Sequence, residues 1–106
     1  MKIIDPAPAL EELAAAARTA RIPALTRLAA AASALAKEFR QPSEPAAEHA
    51  KIIGREMQQL SAAIAAADRA QLFPPDKRRM LAALKAARRE LGEWVKANPA
   101  LNQENF

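Results

Sequence analysis

The residues best placed to do chemistry are basic residues in the last third of the chain. Four of them fall within about 20° of one line when successive residues are rotated by about 100° on a helix: Arg78, Lys85, Arg89 and Lys96. Their line lies well away from the apolar stripe of the same segment. Lysine and arginine in such a line can bind phosphates or meet an acidic protein surface. The sequence therefore predicts a basic stripe, defined by these four residues.

Three interpretations of the basic stripe stay open. It could be a solvated surface, as most charged helix faces are, or it could bind an acidic protein partner or nucleic acid. Lys77, Arg79 and Arg88 widen the stripe, whereas Glu90 and Glu93 interrupt its edges. Aromatic residues and glycine loops, which often accompany nucleic-acid sites, are absent beside it. A protein partner with an acidic surface is therefore favoured over nucleic acid.

His49 is the sole histidine and the chain has no cysteine. The Glu-x-x-His spacing of carboxylate-bridged metal bundles is missing, because Ala46 stands where the glutamate would be. His49 shares the helical phase of Ile53 and Met57, at what would be a partly wet end of a helix bundle. We expect a structural role for it, and no metal or cofactor.

In length and helix count alone the chain resembles the small all-helical chorismate mutases, which hold a dianionic substrate with inward-facing arginines and lysines. The helical phase argues against that activity, because the basic residues of the third segment project opposite its apolar residues: Lys51, Arg55 and Arg69. No serine or threonine has a base at a suitable helical spacing either. We expect a protein that is not an enzyme.

Alanine and proline predict the elements that position these residues. Alanine fills more than a quarter of the chain in blocks that favour helix, and prolines fall where helices would begin or break. Four helical segments follow, at about 8–21, 23–40, 44–72 and 75–97. Ser43 is the expected N-cap of the third, and Pro23 either kinks one long helix or starts a new one.

The expected fold is an all-α antiparallel bundle of three long helices, with the first broken or kinked at Pro23. Apolar residues recur at steps of three and four, the spacing of near-parallel packed helices. The third segment has Ile53, Met57, Leu60, Ile64 and Ala67; the fourth has Met80, Leu84, Ala87, Leu91 and Trp94, flanked by Leu81 and Val95. Short connections predict that successive helices pack on each other. The phase of Met57, Met80 and Trp94 favours burial over a sticky surface.

Residues 1–98 are expected to form one helical domain, and 99–106 a flexible tail in which Leu101 and Phe106 could anchor a partner. No apolar run approaches membrane-spanning length, so the expected location is the cytoplasm. Alanine side chains bury little area, which leaves a slim core and makes a homodimer a further expectation. The overall prediction is a small protein-interaction module, such as an adaptor, chaperone-like subunit or inhibitor of bacterial or phage origin; the alternative is a nucleic-acid accessory protein.

Overall fold

A computed structural model describes residues 5–41 and 46–97, and within those ranges it confirms the all-α class. Four α-helices follow one another: α1 (Ala7–Thr19), α2 (Thr26–Arg40), α3 (Ala46–Ala67) and α4 (Pro74–Ala97). A single 3-10 turn, Pro23–Leu25, leads into α2. None of the helices in the described ranges is both long and apolar enough to cross a bilayer.

Pro23 begins a new helical element after a tight turn, so the alternative with four separate segments holds. The hydroxyl of Thr19 donates to the carbonyl of Ala15 at 2.8 Å in the last turn of α1. Arg21 then adopts a left-handed backbone conformation, with φ of 54°, and its N–H donates to the carbonyl of Arg18. This turn sends α2 back along α1 in the opposite direction.

The core lies mainly between α1 and α2. Its largest fully buried side chains include Leu10, Leu13, Leu28 and Leu35. Among the described residues, eleven of the twenty buried apolar side chains are alanines, which allow two helix backbones to approach closely. An ion pair between Arg40 and Glu11 joins the end of α2 to the start of α1. Their pairing confirms the antiparallel direction of these two helices.

Each of the two longer helices packs on a different member of this pair. α3 packs against α2, with His49 near Glu38, and α4 packs against α1, with Arg79 bound to Glu12. α3 and α4 form no packed interface with each other. The expectation that each helix packs on the next one along the chain is therefore wrong for this last pair.

The connection between α3 and α4 explains that difference. α3 ends at Ala67, five residues earlier than expected, in a turn where the N–H of Ala70 donates to the carbonyl of Ala67 at 2.9 Å. Pro74 disfavours helical geometry for Phe73, the residue before it. A six-residue connection, 68–73, results. It is long enough to carry α4 away from α3 and onto the apolar surface of α1.

Several predictions concern residues outside the described ranges. They are the N-cap role of Ser43 and the anchoring roles of Leu101 and Phe106 in the tail 99–106.

Candidate functional site

An open groove lies between α3 and α4, where these helices fail to meet. It consists of two adjoining cavities of about 520 and 550 Å³, and both Ile64 and Arg88 line each of them. Met57 and Ser61 contribute from α3, and Val95 contributes from α4. We term this surface the α3–α4 groove.

The side chains in the groove are apolar but only partly covered. Ile64, Leu84 and Val95 are half-buried, and Leu81 remains 56% exposed. On α4 the buried alanines Ala83 and Ala87 lie on a different side of the helix, about 100° around from the groove. α4 therefore has two apolar faces. One is satisfied by α1, and the other faces the groove without a packed partner.

The positive charge of the protein is concentrated on α4. This helix contains seven lysines and arginines and three acidic residues, an excess of four that equals the formal net charge of the whole chain. The rest of the sequence is therefore balanced. An approaching acidic surface would be drawn to α4 rather than to the protein as a whole.

All four residues of the basic stripe are exposed on α4: Arg78, Lys85, Arg89 and Lys96. Arg89 makes a long ion pair with its neighbour Glu90, at 3.8 Å. On the helix the stripe lies about 100° from the apolar groove face, on the side away from α1. The stripe therefore borders the groove, and Lys96 belongs to both.

The three basic residues that flank the stripe, Lys77, Arg79 and Arg88, have two different roles. The sequence alone could not distinguish these roles. Lys77 and Arg88 line the groove. Arg79 instead points to α1, where its Nε and Nη2 donate to the Glu12 carboxylate at 2.9 and 3.0 Å and its Nη1 donates to the hydroxyl of Thr19 at 3.2 Å. These hydrogen bonds lower the pKa of Glu12. Arg79 thus fastens α4 in place and does not widen the stripe.

His49 occupies the edge position expected for it. It is half-buried, with Nε2 at 3.7 Å from a carboxylate oxygen of Glu38 across the α2–α3 contact. No group of three potential metal-ligating side chains occurs in residues 5–41 and 46–97.

Three residues were expected to be buried because they share the helical phase of the apolar stripes. Met80 is buried, whereas Met57 and Trp94 are half-buried. Trp94 meets the ring of Phe39 edge to face, with centroids 5.1 Å apart.

Sequence reasoning missed Phe73, the most exposed large apolar side chain in the described structure, at 79%. It lies in the α3–α4 connection beside Leu72, which lines one end of the groove. The available signal was the apolar pair Leu72–Phe73 directly before two prolines. No protein-family model, curated protein or solved structure matches the chain.

Proposed function

We propose that this chain is a small, non-catalytic protein-interaction module that presents the basic face of α4 to the acidic surface of a protein partner. Adaptors, chaperone-like subunits and inhibitors work in this way, and the cytoplasm is the location we propose. The single observation that carries the proposal is the concentration of the whole charge excess on one helix. A dispersed excess would favour no particular surface.

The rigidity of α4 supports a role in recognition. The helix is held against α1 by the bidentate Arg79–Glu12 pair, and Ala83 and Ala87 are buried on the side of α4 away from the groove. The stripe cations are therefore displayed from a fixed scaffold at a constant spacing. Binding then orders only the side chains themselves, which limits the entropic cost of association.

A protein partner is favoured over nucleic acid because exposed apolar surface accompanies the charge. Leu81 and Phe73 are exposed on α4 and on the connection before it, and the groove beside the stripe is apolar. Contacts to a phosphate backbone need cations but make no use of such apolar surface. Apolar anchors with a charged margin are the usual make-up of a protein–protein interface.

Charge reversal on the stripe tests the proposal. The stripe variant carries Arg78→Glu, Lys85→Glu and Arg89→Glu. A matched control carries Lys51→Glu, Arg55→Glu and Arg69→Glu, which change the charge equally at other exposed positions. Each tagged protein is cross-linked in its native host and captured with and without nuclease. The proteins captured with it are then identified by mass spectrometry. Melting temperatures check that all variants fold.

We expect the same acidic protein to be captured by the wild type and the control, to be lost with the stripe variant, and to survive nuclease. Retention of that protein by the stripe variant would reject the proposed function. Loss on nuclease treatment would reject it in favour of nucleic acid. In that case the affinity for duplex DNA should fall with added salt by about one unit of log–log slope per phosphate contacted.

A further inference from the structure

We propose that the α3–α4 groove binds one amphipathic α-helix of a protein partner, with its apolar side in the groove and an acidic edge along α4. This inference rests on the proposed function and names the form of the partner. The apolar side chains that line the groove on α4 run from Met80 to Val95, which corresponds to about 22 Å, or four helical turns. That length suits a single helix carrying apolar anchors at steps of three and four.

Small residues on both sides leave room for an incoming helix. Gly92 on α4 and Ser61 on α3 both line the groove. A Cβ placed on Gly92 would meet nothing within 4 Å, so no packing inside the chain requires a glycine there. Glycine in a helix interior costs stability relative to alanine. What its missing side chain provides is space for a neighbouring helix to approach closely.

The charges that line the groove indicate which edge of the bound helix should be acidic. Lys77, Arg88 and Lys96 line the α4 side of the groove, and the rest of the basic stripe lies just beyond them. On the α3 side the lining includes one carboxylate, Asp68, directly after the last residue of the helix. Acidic side chains on the edge facing α4 would complement these cations, and the exposed Ser61 allows the other edge to approach α3. A second copy of this chain would present the same cations and be repelled.

Selection from a phage-displayed library of helical peptides about fourteen residues long provides the probe, and one selected peptide is then synthesised and labelled. We expect the selected sequences to carry apolar residues at i, i+3, i+4 and i+7 and an excess of Asp and Glu. Affinity is measured by fluorescence anisotropy. Gly92→Phe fills the groove and should weaken binding at least about tenfold, whereas Gly92→Ala adds only a methyl group and should weaken binding much less.

Charge variants test the acidic edge separately. Arg88→Glu should weaken binding several-fold, mainly by slowing association, and added salt should reduce that difference. Arg55→Glu makes the same charge change at an exposed position that does not line the groove, and we expect no effect from it. Melting temperatures of all four variants show whether each is folded.

Several results would overturn the groove proposal. They are selection of no peptide, selection of peptides without the apolar pattern, or equal affinity for the wild type and Gly92→Phe. Much tighter binding by a chain ending at Ala97 would make residues 98–106 the occupant. A dimer that Gly92→Phe dissociates would make a second copy the occupant. If the natural partner is lost from the stripe variant but kept by Gly92→Phe, the groove proposal fails while the proposed function stands.

Discussion

Arg79 and Glu12 join α4 to α1 through two parallel hydrogen bonds, from Nε to one carboxylate oxygen at 2.9 Å and from Nη2 to the other at 3.0 Å. Arg40 makes a similar pair with Glu11, one residue earlier on α1. Neighbouring glutamates on α1 thus reach in two directions, one to α2 and one to α4. Both pairs are exposed, so solvent and salt weaken them, but they fix the orientation of the helices.

Acid should weaken the fold through these two glutamates. Hydrogen bonds from Arg40 and Arg79 lower the pKa of Glu11 and of Glu12. A carboxylate whose pKa is lower in the folded chain stabilises the fold fully above its unfolded pKa, about 4.3 for glutamate. That stabilisation is lost as the pH falls through the lowered value. We therefore expect the melting temperature to decrease below about pH 4.

The double variant Glu11→Gln/Glu12→Gln checks this expectation by thermal denaturation monitored by circular dichroism. It should melt below the wild type at neutral pH, and the gap should close as the pH falls through the lowered pKa values. The matched variant Glu48→Gln removes one exposed carboxylate that makes only a 4.0 Å contact with Lys51. A gap that stays constant with pH would contradict the assigned pKa shifts.

Replacing Arg21 by glycine should stabilise the protein. Arg21 has φ of 54° in the corner after α1, a conformation that costs a residue with a side chain about 1 kcal/mol and costs glycine almost nothing. The gain should approach about 1 kcal/mol in the free energy of unfolding measured with urea. Arg18→Gly, inside α1, should instead destabilise by about 1 kcal/mol. Equal effects of the two substitutions would show that the corner is not strained.

Trp94 reports on the contact between the ends of α2 and α4. It is the sole tryptophan, and its ring meets Phe39 at an interplanar angle of 77°. Such aromatic pairs contribute about 0.5–1.5 kcal/mol beyond the area they bury. Phe39→Leu should therefore lower the free energy of unfolding by about that amount and weaken the near-UV circular dichroism of Trp94. An unchanged near-UV signal would mean that the two rings do not meet in solution.

The sequence predicted the helices well because their limits depend on local chemistry. Prolines cannot continue a helix, so Pro23 and Pro74 mark real starts, at the 3-10 turn and at α4. The end of α3 was misplaced because the nearest proline, Pro74, comes seven residues after Ala67, where α3 ends. Alanine continues the helical pattern up to Ala70, so no local signal marks the end.

The arrangement of the helices was harder to predict, and so was the site. Periodicity shows which face of a helix is apolar but not which neighbour covers it. Leu81, Leu84 and Val95 therefore looked like ordinary core positions, yet they line an open groove. The exposure of Arg78 and Lys85 could be predicted because the basic stripe lies well away from the main apolar stripe of α4, formed by Met80, Leu84, Ala87, Leu91 and Trp94. The ion pair between Arg79 and Glu12 could not be predicted, because it depends on the packing of α4 against α1.

Close packing of alanines between α1 and α2 gives the final prediction. Ala32 is fully buried in α2, whereas Ala34 on the same helix is exposed. Ala32→Leu forces three extra carbons into a core that has no room for them, and we expect it to lower the free energy of unfolding by about 1–3 kcal/mol. Ala34→Leu adds the same atoms in solvent and should change it by less than about 0.5 kcal/mol.

Urea denaturation of both variants measures the difference, and the slope of each transition shows whether the folded state stays compact. Because α1 and α2 together support α3 and α4, spreading them apart at Ala32 should loosen the whole fold. Ala32→Leu should therefore also weaken binding of the selected groove peptide, while Ala34→Leu should leave it unchanged. Equal stability of the two variants would mean that the helices are not held together by close contact of alanines.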